Sequence, residues 1–263
     1  MELWTLVRGS TPLIIDIPHA GTFVPSSIEV QLTAAALSLP DTDWHVEKLY
    51  AFAAARGATV MAATHSRYVV DLNRDPSGVA LYPGVDNTEV CPTRTFANEP
   101  IYDDGAEPRP IERAARIDEY WRPYHAVLAQ KIAAIVDRHG YAIVLDAHSI
   151  RSEVPRFFAG CLADLNLGTV DGHSAAPSLE RSAVHSVSAA DDFTSVANGR
   201  FKGGYVTRHY GRPQQRVHAL QLEIAQACYM DETPPYPWSR GGAAALIDVL
   251  ERFVAVLLDW RPG

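Results

Sequence analysis

Apolar positions along the chain gather into short runs separated by polar turns, and the spacing of those runs predicts the elements. Leu13-Ile14-Ile15-Asp16-Ile17 has the continuous apolar character of a buried strand, and Pro18-His19-Ala20-Gly21 ends it in a turn. Asp41-Thr42-Asp43 can cap a helix running to about Arg56, which Gly57 then stops. Thr59–Ala63 and Tyr68–Leu72 read as further strands, the second running into Asn73-Arg74-Asp75-Pro76. Residues 82–110 carry five prolines and many polar side chains, and are expected to form a long functional loop region. A helix or helix pair is predicted over about 111–138, closed by His139-Gly140, and is followed by the clearest strand, 141–145, which leads into Asp146-Ala147-His148-Ser149. A helix over 178–189, a hairpin-like region over 198–206, a strand over 219–224 and a final helix over 241–258 complete the pattern.

Strands alternating with helices, without an internal repeat, predict an α/β fold. The expectation is a single domain over 1–263, built as a three-layer αβα sandwich around a mixed central sheet. Open α/β sheets bind ligands beyond the carboxyl ends of their strands. His19, Asn73-Arg74 and His148-Ser149 all follow a predicted strand directly, so that edge is the expected site.

Composition narrows the function classes. With 47% hydrophobic and 21% charged residues, the chain resembles ordinary globular proteins rather than disordered or fibrous ones. No apolar run is long enough to cross a bilayer and no basic leader precedes the first strand, so a cytoplasmic protein without a membrane partner is expected. Cys91, Cys161 and Cys228 are scattered, which argues against disulfides and zinc-thiolate sites. A net charge of −8 disfavours nucleic acid as a partner. It also means that an anionic ligand must be received by locally placed cations. Of the 23 basic residues only Lys48, Lys131 and Lys202 are lysine; base composition explains most of the surface arginines, while guanidinium also suits bidentate carboxylate binding.

Two of the ten histidines, His19 and His148, sit two or three residues after an aspartate at a strand end. Imidazole with a carboxylate suits zinc and related ions. Asp43 is the preferred third ligand, with Asp41 and His45 as competitors, and Asp16 and Asp146 are candidate acceptors behind the imidazoles. The plainer alternative is that these histidines only hydrogen-bond at strand ends. His125 and His139 read as structural helix residues, and His65, His173 and His185 have no supporting context.

Several longer blocks resemble the N-formylglutamate amidohydrolase family: His19-Ala-Gly, Asp41-Thr-Asp-Trp-His45, Ser66-Arg-Tyr-Val-Val-Asp-Leu-Asn-Arg-Asp-Pro76 and Asp146-Ala-His-Ser-Ile-Arg-Ser152. So do Asp164–Thr169, Asn198–Tyr205, Thr207–Gly211 and His218–Gln226, in the expected order. The resemblance implies a phosphorylase/hydrolase-like fold distantly similar to zinc carboxypeptidases. It also implies one divalent metal, zinc foremost with cobalt or another transition metal as substitutes, and hydrolysis of N-formyl-L-glutamate at the end of a histidine-degradation route. By the same resemblance Glu223 is the general base, Arg67 the oxyanion stabiliser, and Asn73-Arg74 the pair that grips a substrate carboxylate. A dianionic N-acyl amino acid needs a further cation, for which Arg208, Arg156 and Arg200 are candidates. Phe157, Phe158 and Tyr205 are candidates for the wall of a small acyl pocket. The carboxypeptidase-like relatives use a His-x-x-Glu pair, whereas His19 is followed by Ala-Gly-Thr; Asp43 fills that place by inference. The competing expectations are a metal-dependent deacylase of another N-acyl amino acid, or a non-catalytic binding protein. Oligomeric state is left open by the sequence.

Overall fold

The structure, a computed structural model, describes residues 1–263. Seven strands form one sheet: β1 (Trp4–Val7), β2 (Leu13–Ile17), β3 (Thr59–Ala63), β4 (Ala142–Ile150), β5 (Leu165–Gly168), β6 (Ser195–Ala197) and β7 (Val217–Ala225). Their order is β1-β3-β2-β4-β7-β5-β6. The central four run parallel, while β1 pairs antiparallel with β3, and β5 antiparallel with β7. The mixed sheet is therefore parallel through its buried centre and reverses at β1 and at β5, with β6 parallel to β5 at the far edge.

Eight helical segments matter for the layers. On one face lie α1 (Val46–Leu49), α2 (Pro177–Ser188) and α3 (Arg240–Asp259), packed on Leu13, Ile15, Ile143, Leu145, Leu220 and Leu222. On the other face lie α4 (Arg122–His139) and α5 (Tyr205–Tyr210), packed on Ile14, Val144 and Ala219. The remaining segments, Pro110–Arg116 and Ile117–Trp121 leading into α4 and Ser26–Glu29 at the rim, complete the expected three-layer sandwich. No helix is long and apolar enough to cross a membrane.

Four local expectations are corrected. The helix over 41–56 contracts to α1, because the Asp43 N–H is drawn to His19 O and His45 takes a left-handed φ of 63°. Tyr68–Leu72 is not a strand; the chain turns, with Val69 N–H donating to Ser66 O and Arg74 N–H to Asp71 O. The region 198–206 is not a hairpin: β6 ends before it, and it runs irregularly into α5. The strand over 141–145 continues to Ile150, so His148 lies inside β4 rather than after it. By contrast, the helix pair over 111–138 is found, joined by one π-turn at Ile117–Trp121 and closed by a left-handed Gly140.

Candidate metal centre and the cleft above it

On one face of the sheet the apolar alternation becomes polar toward the strand ends. In β2 Ile14 is followed two positions on by Asp16; in β4 Val144 gives way to Asp146 and His148; in β7 Ala219 gives way to Gln221 and Glu223. A period of two keeps each set on one face. Register then aligns the sets across strands: Asp16 opposite Asp146, Asp146 opposite Gln221, and His148 opposite Glu223. His19 enters from the turn after β2, where Gly21 lets the backbone pass so close to His65 O that a Cβ would collide. Asp43 is tied beside it by its N–H to His19 O at 3.1 Å, and Gln226 Nε2 holds the preceding Thr42 carbonyl at 2.9 Å.

His19, Asp43 and His148 are buried together, with one donor atom of each within 4.8 Å of the others. Asp43 Oδ2 lies 3.0 Å from His148 Nδ1 and 3.8 Å from His19 Nδ1. Ligands of a tetrahedral zinc-like ion at ~2.0–2.1 Å stand ~3.3 Å apart, which this spacing brackets. Behind the ring nitrogens stand two more carboxylates, with His19 Nε2 2.7 Å from Asp71 and His148 Nε2 2.6 Å from Asp146. A carboxylate oxygen accepts, so each Nε2 carries a proton, and with an ion bound each Nδ1 would turn its lone pair to the cluster. Asp43 Oδ1, though buried, has no hydrogen-bond partner. This donor set, with its orphaned oxygen and paired second carboxylates, fits a divalent transition-metal ion.

The electrostatics point the same way. Burial pushes an imidazole down, yet Asp146 and Asp43 on its two sides hold His148 well above the ordinary histidine range. A positive charge is thus favoured between those carboxylates, and a bound cation would replace the proton. Burial tends to raise Asp71, but Arg67 and His19 hold it well below the usual carboxylate range. Glu223 is moved the other way: burial pushes it up to about 8, with Asp43 adding to the shift and His148 opposing it.

The competing ligands are engaged elsewhere. Asp41 accepts from Tyr68 Oη at 2.8 Å and from Phe96 N–H at 3.0 Å, while His45 Nε2 meets Tyr236 O at 2.8 Å. Asp16 does not back His19 as the sequence suggested; it accepts from Tyr124 Oη at 2.6 Å, and Asp71 takes that place. His125 is structural as expected, its ring nitrogens meeting Leu72 O and Tyr210 Oη.

A cleft opens above the cluster, lined among others by Glu223, Arg67, Asn73, Arg74 and Arg200. Arg67 donates to Asp71 at 2.6 Å and lies over the Phe96 ring, with Nη1 3.7 Å from Asp43. Asn73 Nδ2 donates to Asp146 at 3.1 Å and its Oδ1 accepts from Val206 N–H, so this side chain also braces the centre. A Cβ at Gly204 would strike the Asn73 amide, which accounts for glycine there. Arg74 donates from Nε to Thr88 and from Nη1 to Asn73 O, without a carboxylate partner. Arg200 likewise has no carboxylate, and donates only to Phe157 O at 2.8 Å.

Most of the other predicted residues fall away from the cleft wall. Arg156 forms a bidentate pair with Asp86 at 2.7 and 2.9 Å, and Arg208 donates to Gly203 O beneath the Tyr82 ring. Phe157 lines the cleft, whereas Phe158 packs on Phe201 and Tyr205 packs among Trp121, His125 and His209. Sequence reasoning missed Asp71, Gln221 and Tyr82. Asp71 and Gln221 both carried a signal, as single polar residues inside apolar runs; Tyr82 carried none.

Comparison with known proteins places this geometry among relatives. The N-formylglutamate amidohydrolase family profile matches residues 11–230. The chain is 44% identical over 259 residues to the N-formylglutamate deformylase of Pseudomonas aeruginosa, covering 98% of this chain and 97% of that protein. It is 43% identical over 253 residues to the N-formylglutamate deformylase of Pseudomonas putida, covering 96% and 94%. Its fold matches the crystal structure of N-formylglutamate amidohydrolase from Ralstonia eutropha JMP134 with a TM-score of 0.81 and 28% identity, over 97% of each chain.

Proposed function

The chain belongs to the N-formylglutamate amidohydrolase family, and from that premise we propose that it hydrolyses N-formyl-L-glutamate to L-glutamate and formate. The observation that carries the reading is the buried His19–Asp43–His148 cluster beside Glu223, beneath a cleft holding two arginines without carboxylate partners. His19, Asp43 and His148 would hold one divalent ion, zinc foremost, with Asp71 and Asp146 fixing the two imidazoles. Such an ion supplies Lewis acidity toward the formyl oxygen and brings the pKa of water to about 7.

The remaining work falls to side chains. Water adds to the formyl carbon as one of its protons passes to a Glu223 carboxylate oxygen. The C–N bond then breaks as Glu223 returns the proton to the nitrogen, releasing formic acid and the amine, which separate as formate and the ammonium form of glutamate. Glu223 takes the proton when ionised and returns it when protonated; burial raises its pKa, and a cation held beside it would lower it. Gln221 Nε2, 3.2 Å from Glu223 Oε2, orients it. Arg67, kept charged by Asp71 and Asp43, stabilises the charge that develops on the formyl oxygen. Arg74 and Arg200 receive the two substrate carboxylates, which answers the net charge of −8 locally.

The test is formate release from N-formylglutamate alongside hydrolysis of N-acetyl- and N-propionylglutamate, with Glu223→Gln assayed in parallel. Wild type should favour the formyl substrate, and Glu223→Gln should keep its metal while losing ~10²–10⁴-fold in kcat. Equal rates on the larger acyl groups would redirect the reading to a general N-acyl amino acid deacylase. Wild-type turnover by Glu223→Gln would remove its assigned role.

A further inference from the structure

The cations around the cleft divide by what neutralises them. Arg67 is paired with Asp71, Arg156 with Asp86, and Lys202 with Asp171. Arg200 is held differently. Its guanidinium lies nearest the Tyr82 ring, 4.9 Å from its centre, with Phe201 at 5.4 Å and Phe157 at 5.8 Å, and Arg208 lies 5.3 Å from the Tyr82 ring. An aromatic face attracts a guanidinium through the ring quadrupole and leaves its in-plane N–H groups uncommitted. A carboxylate in that place would cancel the charge and occupy the N–H fork. Since Arg200 donates only from Nε, to Phe157 O, both terminal NH₂ groups remain available in the cleft.

Tyr82 is itself fixed. Its hydroxyl accepts from Lys202 N–H at 3.0 Å, which ties the ring to the segment that carries Arg200. Asn87 clamps its backbone, accepting from Tyr82 N–H at 3.1 Å and donating to Tyr82 O at 2.7 Å. The ring lines the same cleft as Glu223 and Arg200.

We infer that Tyr82 is a positioning residue that sets the enzyme's preference for a substrate with a side-chain carboxylate, by holding the Arg200 guanidinium at the cleft wall without a carboxylate partner. This deepens the function proposed above and rests on its dianionic substrate. Tyr82 touches no reacting atom; it acts through Arg200, and its effect falls on binding.

The experiment compares N-formylglutamate with N-formylglutamine, which has the same length but no second charge, in wild type, Tyr82→Phe, Tyr82→Leu and Arg200→Met. Tyr82→Leu should raise KM for N-formylglutamate about tenfold while kcat changes less than about twofold. Its kcat/KM on N-formylglutamine should stay at the wild-type level, which also reports that the variant is folded. Arg200→Met should show the same selective loss, and adding Tyr82→Leu to it should cost little more. Tyr82→Phe keeps the ring and should keep the preference. Equal losses on both substrates, a loss confined to kcat, or an unchanged KM in Tyr82→Leu would each overturn the inference while leaving the wild-type reading intact. A wild type that does not prefer N-formylglutamate to N-formylglutamine would overturn the dianion reading and this inference with it.

Discussion

Asp16 shows how one residue can be assigned by sequence proximity and reassigned by geometry. It precedes His19 by three positions, yet its carboxyl meets Tyr124 and stands in register with Asp146 on the neighbouring strand. Burial pushes it up to about 8, with the Asp146 charge adding to the shift. A folded-state pKa above the unfolded value means that the folded state binds the extra proton. The associated stability is complete below pH ~4 and is lost as pH rises through about 8. Asp16→Asn mimics the neutral form and should lack that slope, so urea midpoints should shift in favour of the variant between pH 5 and 8. Each pH unit in that window costs the wild type up to ~1.4 kcal/mol relative to the variant. A difference that does not change with pH would show that Asp16 is ionised throughout. Asp71 was hidden for a related reason: within Tyr-Val-Val-Asp-Leu it looks like part of a strand, and only the turn at Ser66–Val69 directs it toward His19.

At the scale of elements, apolar periodicity located β2, β3, the core of β4 and β7, and the three long helices, because those segments bury a regular face. It failed where backbone pairing continues beneath polar side chains. β4 keeps its ladder with β7 through Asp146, His148 and Ser149, so an apolar run that ends at Leu145 understates the strand by five residues. The short strands β1, β5 and β6 were equally hard to see, being three or four residues long. The π-turn at Ile117–Trp121 has no periodic signature, but it places Trp121 Nε1 3.1 Å from Arg74 O, while His125 holds Leu72 O at 2.8 Å. These two bonds brace the segment that carries Asn73 and Arg74. Trp121→Phe removes one donor and should destabilise the protein by about 1–3 kcal/mol. It should also raise KM several-fold with kcat and metal content nearly unchanged. Loss of metal instead would mean that the helix layer supports the centre itself.

Across the whole molecule, the sheet separates two tasks. One face is closed by α2 and α3 over a continuous apolar core, and the other opens at the strand ends into an acidic centre ringed by arginines. The layer architecture was legible because it follows from which faces are apolar. Bringing His19 and Asp43 together with His148, more than a hundred residues further along the chain, depends on strand order and register, which spacing alone does not encode; the family blocks supplied what periodicity lacked. The arginines were legible as a set but not individually, because whether a guanidinium faces a carboxylate, a carbonyl or an aromatic ring is decided by the tertiary structure. Under the proposed function this assembly would work through one divalent ion. Metal content and formate release should be measured on the same protein as it is stripped with a chelator and reloaded with zinc. Activity should fall and return in proportion to occupancy, reaching one ion per chain, and His148→Ala should bind no stoichiometric metal. Full formate release from metal-free protein would contradict the account.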